Sequence, residues 1–216
     1  MILGEGRLGG ATDGYGLAYI LMSDWFENNV IEEMKMPFCN CEDGNYDNSG
    51  ENRKLATALE NFSSLKVFSI EFGDGYDGDE DCEVSGDIID ALSNHPDLED
   101  VRLSHNYTKW SQRGYAALVR FISGSNVKKL NLEGYEETMD DEGAVAVAAA
   151  FGVNNTLKEC ILDEENITST GWKAFAKLLS DSGSIMTTYN SNHTLQKLLP
   201  SDSSYRDEEK NELHLL

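Results

Sequence analysis

A short apolar pattern recurs along most of this chain of 216 residues. Each copy has apolar residues at its first, fourth and sixth positions. Five copies stand out, at Ile31-Met34-Met36, Leu65-Phe68-Ile70, Leu98-Val101-Leu103, Val127-Leu130-Leu132 and Leu157-Cys160-Leu162. On a β-strand the fourth and sixth positions share one face, and the residues beside them share the other. The pattern therefore predicts five short strands, each with a buried and an exposed face.

A polar stretch, a glycine and a helix-period apolar run follow the strand patterns. Four successive units carry the glycine 28, 29 and 28 residues apart, at Gly86, Gly114, Gly143 and Gly171. The apolar run then occupies one helical face at i, i+3 and i+4 spacing. Examples are Leu118, Phe121 and Ile122 in one unit, and Phe175, Leu178 and Leu179 in another. The spacing predicts one helix after each strand.

Helix starts are predicted at Thr168 and at Asp140-Asp141-Glu142, residues that suit an N-cap and the positive end of a helix dipole. A single strand–helix unit cannot bury the apolar faces of both elements, whereas copies stacked side by side can. The sequence therefore predicts an α/β fold in which neighbouring units cover one another.

This pattern resembles the ribonuclease-inhibitor-like branch of the leucine-rich-repeat proteins, in which strand and helix alternate over about 28 residues. The resemblance covers about residues 10–200 and implies a horseshoe-shaped solenoid, with parallel strands on the concave side and helices on the convex side. In that family the ninth position of the unit is usually Asn or Cys, which hydrogen-bonds the backbone of the turn. Cys39 and Asn106 fit this position, while Gly73, Tyr135 and Glu165 do not.

The chain is expected to form one repeat domain over residues 1–200, with five to six units and an incomplete first unit. Residues 201–216, "SDSSYRDEEKNELHLL", are interpreted as an acidic tail or as part of a capping helix. The N-terminus lacks the basic start and apolar stretch of a secretion signal. A cytoplasmic or nuclear monomer with reduced cysteines is therefore expected.

The formal net charge is −22, which argues against nucleic acid and anionic membranes as partners and leaves basic proteins as possible ones; the alternative is that the charge only keeps the protein soluble. The loops between each strand and the next helix hold 19 of the 39 acidic residues and only two basic ones. Equivalent loops of a solenoid share one edge, so we expect an acidic rim that docks a basic partner. The alternative is a solvated rim whose carboxylates favour helix N-termini. The rim residues singled out are Asp77, Asp79, Asp81, Glu136, Glu137, Asp140 and Asp141.

The exposed strand positions are the second candidate surface. A mixed row of charged, polar and apolar side chains is what a protein-binding groove needs and equally what any exposed strand row presents, and it lacks the convergent polar groups of a small-molecule pocket. The concave-face residues predicted to contact a partner are Glu33, Lys35, Ser69, Asp100, Arg102, Lys129, Asn131 and Glu159.

No catalytic residue, metal ligand or cofactor is predicted. The acids that start at Asp77 match the first positions of a calcium-binding EF-hand loop, but Cys82 and Ile88 stand where that loop needs Gly and Glu. The expected function is non-catalytic protein–protein interaction. The alternative, by resemblance to the Ran GTPase-activating protein of the same repeat family, is a GTPase activator with Arg102 or a rim residue near the nucleotide.

Overall fold

The structure is a computed structural model, and the residues described are 31–41, 49–74, 86–106, 110, 112–135, 139–162, 166–180, 183–184, 186 and 191–200. The predicted tail at 201–216 and the start of the expected repeat domain, residues 1–30, lie outside this part of the chain. No described helix combines the length and the hydropathy that crossing a membrane requires.

Every strand pairing in the described sheet is parallel, and consecutive units supply neighbouring strands. The order across the sheet is β1-β2-β3-β4-β6-β7, while the two-residue β5 pairs with β3. The strands are β1 (Glu33–Cys41), β2 (Val67–Asp74), β3 (Asp100–Asn106), β4 (Lys129–Leu132), β5 (Gly134–Tyr135), β6 (Glu159–Leu162) and β7 (Lys197–Pro200).

Among the described residues, a helix of seven or more residues lies between each main strand and the next. These helices are α1 (Ser49–Leu59), α2 (Gly86–Leu92), α3 (Gln112–Gly124), α4 (Asp141–Val153) and α5 (Ser169–Leu179). Each helix packs against the helix of the following unit, in the order α1, α2, α3, α4 and α5. The predicted α/β class with parallel strands is therefore confirmed.

The core lies between the sheet and the helices, and it is built from the repeated apolar positions. Leu65, just before β2, and Phe68 and Ile70 within it are fully buried, as is Cys160, which takes the place of Phe68 in β6. Burial raises the pKa of the Cys160 thiol, so this cysteine acts as a small apolar side chain. The helices contribute the predicted Phe121 and Phe175. The strand pattern thus identified the buried positions because its period matches the pleat of the sheet.

The repeated glycines allow neighbouring helices to approach closely at their N-terminal ends. A Cβ atom on Gly143 of α4 would lie 2.6 Å from the ring of Tyr115 in α3. A Cβ atom on Gly171 of α5 would lie 2.8 Å from Asp141 Oδ1 and 2.9 Å from the Cβ of Ala144, both in α4. Real Cβ atoms do not tolerate such distances, so these positions exclude larger side chains. The regular glycine spacing follows from this recurring helix–helix contact.

An asparagine side chain holds the turn between α4 and β6. The Asn154 amide nitrogen donates to the Ile122 carbonyl at 2.6 Å and to the Ser125 carbonyl at 3.3 Å. Its Oδ1 accepts from the backbone N–H groups of Thr156 and Leu157 at 2.8 and 2.7 Å. One buried side chain therefore satisfies backbone groups of its own turn and of the preceding unit.

The turn before β7 repeats this arrangement. Asn192 donates to the carbonyls of Phe151 and Asn154 at 2.6 and 3.2 Å, and accepts from Thr194 N and Leu195 N at 2.8 and 2.9 Å. Both turns share the sequence Asn-x-Thr-Leu directly before a strand. The side chains of Cys39 and Asn106, which the family resemblance predicted to hold turns, lie outside the described part of the structure.

Candidate functional site

The side of the sheet that faces away from the helices, here called the open face, presents two rows of side chains. Strand register places neighbouring residues of each row on neighbouring strands. The first row is Glu33, Val67, Asp100, Lys129, Glu159 and Lys197; the second is Lys35, Ser69, Arg102, Asn131, Ile161 and Leu199. All twelve side chains are exposed or partly exposed. The eight predicted concave-face residues therefore lie together on adjacent strands.

A third row, here called the entry row, lies immediately before the strands. Its members are Glu32, Lys66, Glu99, Lys128, Lys158 and Gln196, and each backbone N–H after the first donates to the carbonyl of the preceding member. Lys66 pairs with Glu32 at 2.5 Å, and Lys128 pairs with Glu99. This row was not predicted from the sequence as part of a surface, although five of its six positions are charged. That recurring charge after the first apolar position of each unit was the available signal.

Ion pairs link neighbouring side chains of the open face. Glu159 lies 3.1 Å from Lys197 and 3.9 Å from Lys129, so one carboxylate on β6 faces an ammonium group on each side. Lys35 pairs with Glu33 at 2.7 Å, and hydrogen bonding to Lys35 lowers the pKa of Glu33. These pairs are exposed, so they set the charge pattern of the face more than they stabilise the fold.

Arg102 lies at the centre of the second row. Its Nε donates to Ser104 Oγ at 2.8 Å, and its Nη2 donates to a Glu133 carboxylate oxygen at 2.9 Å. The guanidinium, which the GTPase-activator alternative would bring near the nucleotide, is therefore held along the face.

Asp100 lies at the centre of the first row and is partly buried. Loss of hydration raises the pKa of its carboxyl group, an effect that the nearby Lys129 opposes and Glu159 reinforces. In the described part of the chain, no hydrogen bond and no ion pair within 4.0 Å reaches this carboxylate. The surroundings of Asp100 thus disfavour the charged form of its carboxyl group.

Of the seven predicted rim residues, Asp77, Asp79, Asp81, Glu136 and Glu137 lie outside the described residues. Asp140 is the N-cap of α4, where its Oδ1 accepts from Gly143 N at 2.8 Å. Thr168 caps α5 in the same way, so both predicted helix starts are confirmed.

Asp141 connects α4 to α5. Its carboxylate accepts from Thr168 N at 2.8 Å, from Thr168 Oγ1 at 2.5 Å and from Gly171 N at 3.0 Å. These bonds, that of the Thr168 hydroxyl foremost, lower the pKa of the carboxyl group. The two described rim carboxylates are therefore engaged at helix N-termini, as the structural alternative for the rim expected.

Within the described ranges, no group of three or more His, Cys, Asp or Glu residues is arranged to hold a metal ion. Comparison with models of known protein families gave no match. Comparison with curated proteins also gave no significant match. The evidence for function therefore comes from the open face and the chemistry of its side chains.

Proposed function

We propose that this chain is a leucine-rich-repeat module of the solenoid type that binds another protein, without catalysis, through the open face. The observation that carries the proposal is the face itself: six parallel strands in sequential order present three adjacent rows of exposed, mixed side chains. Sequential parallel strands with one helix per unit are the arrangement that repeat proteins use to build extended binding surfaces.

The composition of the face favours a protein partner. Both acidic and basic side chains occur on it, and partly exposed apolar residues such as Val67, Ile161 and Leu199 lie among them. Protein interfaces combine apolar contacts with complementary charges, whereas a pocket for a small molecule needs a concave site with a few convergent polar groups. The acidic loops extend the proposal, because they offer a separate contact for basic groups of the same partner.

Affinity capture with matched variants tests this proposal. The double variant Arg102→Glu/Lys129→Glu reverses two charges at the centre of the open face, and Lys173→Glu/Lys177→Glu makes the same charge change on the exposed side of α5. We expect specific partners of the wild type to be lost with the face variant and kept with the helix variant. Both variants must first show cooperative thermal unfolding. Identical partner lists for all three proteins would refute the proposal that the open face is the binding surface.

A further inference from the structure

Charge is distributed unevenly along the open face and its entry row. The half formed by β1, β2 and β3 carries three basic residues, Lys35, Lys66 and Arg102, against four acidic ones, Glu32, Glu33, Glu99 and Asp100. The half formed by β4, β6 and β7 carries Lys128, Lys129, Lys158 and Lys197 against the single acid Glu159. A chain with a net charge of −22 thus presents a local positive surface, which we call the lysine surface.

The strand register concentrates this positive charge. Lys158 N donates to the Lys128 carbonyl at 2.8 Å, so these two lysines are direct neighbours in the entry row with no acidic residue between them. Neighbouring strands are about 4.8 Å apart. The backbones of Lys128 and Lys158 have this spacing, so both side chains can reach an anionic group that binds between them, and that group gains from both charges.

Nearby acids neutralise only part of this charge. Glu159 is shared between Lys129 and Lys197, Lys129 also lies beside Asp100, and Lys128 pairs with Glu99 of the preceding unit. Among the described residues, the Lys158 ammonium group has no hydrogen bond and no ion pair within 4.0 Å. The lysine surface therefore keeps a positive excess after its internal pairs are counted.

An apolar strip lies beside the lysines. Ile161 and Leu199 are paired in register on β6 and β7, and both side chains are partly exposed. They continue the second row, next to Glu159 and Lys197 of the first row. An apolar contact is thus available within reach of side chains that recognise carboxylates.

We infer that the lysine surface binds an acidic segment of a partner protein, with an apolar side chain of that segment placed on Ile161 and Leu199. This inference rests on the proposed function and specifies the partner at the same face. Lysine ammonium groups recognise carboxylates as point charges, so the segment needs clustered Asp or Glu without a fixed geometry. The association is electrostatically assisted and weakens as salt rises.

A protein segment fits this surface better than a nucleic acid. The apolar strip has no counterpart in a phosphate backbone, whereas it matches a leucine or a similar side chain of a peptide. The chain as a whole also repels a long polyanion, because its net charge is −22. A short acidic segment interacts mainly with the charges close to it, and on this surface those include four lysines.

Peptide binding by fluorescence anisotropy tests the inference on the full chain. Three labelled peptides of equal length and equal leucine content are compared, with all other positions Glu, Gln or Lys. We expect the Glu peptide to bind more tightly than the Gln peptide, with an affinity that falls as salt rises. Lys158→Glu should weaken the Glu peptide about tenfold, while Lys173→Glu on α5 leaves its affinity unchanged. Lys158 is exposed and makes no ion pair with a described residue, so its reversal should leave the fold intact.

The other possible occupants give different results, and each would overturn the inference. Equal binding of the Glu and Gln peptides, or equal effects of the two lysine variants, would remove the lysine surface as an acid-binding site. Competition by a single-stranded oligonucleotide at the same charge concentration would assign the surface to nucleic acid. Concentration-dependent association of the wild type, lost in Lys158→Glu, would assign it to a second copy. Binding that appears only after removal of residues 201–216 would assign it to that segment.

Failure of this inference is distinguishable from failure of the proposed function. Binding of the Lys peptide alone, together with partner loss in Arg102→Glu/Lys129→Glu, would leave the open face as a binding surface with a basic partner. Unchanged partner lists in the capture experiment would instead refute the proposed function, whatever the peptides do.

Discussion

The turns that precede β3 and β6 occupy equivalent places in the fold but are held in different ways. His95 stands three residues before Leu98, as Asn154 stands three residues before Leu157. The two side chains are almost equally buried, with 5% and 6% of their surfaces exposed. Asn154 bonds backbone groups of two units, whereas neither ring nitrogen of His95 has a hydrogen-bond partner among the described residues.

The difference shows that burial and hydrogen bonding are separate contributions at this position. The carbonyls of Leu59 and Phe62 lie near the His95 ring, in the places that Ile122 and Ser125 take around Asn154. An amide can donate to such carbonyls and accept from its own turn at once. The imidazole fills the space without completing these bonds, so the side chain at this position contributes packing but no hydrogen bond to the turn before β3.

The largest expected effect is the loss of the Asn154 side chain. Asn154→Ala leaves two carbonyls and two N–H groups of a buried turn without their partner, which should lower the free energy of unfolding by about 3 kcal/mol. Urea unfolding followed by circular dichroism measures the change. The exposed neighbour is the control: Asn155→Ala should cost less than about 0.5 kcal/mol. Equal losses for the two variants would contradict the role given to the Asn154 amide.

Helix packing also differs between units, as the glycines Gly86 of α2 and Gly171 of α5 show. The Cβ of Gly171→Ala would lie 2.7 Å from Ile167 Cγ2 and 2.8 Å from Asp141 Oδ1, whereas that of Gly86→Ala would meet its nearest atom, Arg113 Cγ, at 3.2 Å. Overpacking at Gly171 should cost about 2 kcal/mol. At Gly86 the arginine side chain can move and the Arg113 carbonyl oxygen lies 3.3 Å away, so a small adjustment suffices and we expect less than about 1 kcal/mol.

Gly124→Ala is the control for helix propensity, because nothing lies within 4 Å of its added Cβ and the substitution should not destabilise the protein. Urea unfolding of the three variants measures the order. A larger loss at Gly86 than at Gly171 would show that the α2–α3 contact is the tighter one.

Placing an asparagine in the turn before β3 should be stabilising. His95→Asn gives this turn a side chain able to donate to the Leu59 and Phe62 carbonyls, which should raise the free energy of unfolding by about 1 kcal/mol after the lost ring volume is allowed for. His193→Asn, at an exposed histidine of the turn before β7, is the matched control and should have little effect. A loss of stability in His95→Asn would mean that the ring volume matters more than the hydrogen bonds.

The sequence predicted the features that depend on local periodicity. Spacing and residue type were enough to predict the inward strand positions, the caps Asp140 and Thr168 and the parallel α/β arrangement, because strands and helices constrain both. The Asn-x-Thr-Leu turns could also have been predicted from the sequence, since Asn154 and Asn192 stand at the same offset before a strand.

Other contacts require the three-dimensional neighbourhood. The bonds of Asp141 to Thr168 and Gly171 join residues of consecutive units, and one sequence does not show which carboxylate reaches which helix end. The lysine surface has the same origin. Lys128, Lys158 and Lys197 are widely separated along the chain, and only the strand register makes them neighbours. The composition gives only the net charge of the chain, whereas the grouping of charged side chains on the open face depends on strand register.

The smallest expected effect is a difference in pH dependence between the wild type and His95→Asn. Burial lowers the pKa of His95 below its ordinary 6.5, and the nearby Glu60 carboxylate and the Phe62 and Leu59 carbonyls offset only part of this shift. The unfolded chain therefore binds a proton more readily than the folded one, so the wild type loses stability as pH falls from 6.5 towards the lowered pKa. His95→Asn does not undergo this loss of stability, so its advantage over the wild type should grow over that pH interval.

The lowered pKa of Asp141 acts below its ordinary 3.8 and is common to both proteins, as is the raised pKa of Asp100, so both cancel in the difference. Urea unfolding of both proteins from neutral pH to about pH 5 measures it. A constant difference would mean that the imidazole is already paired in the folded state, and the contrast between the two turns would then be one of shape instead of hydrogen bonding.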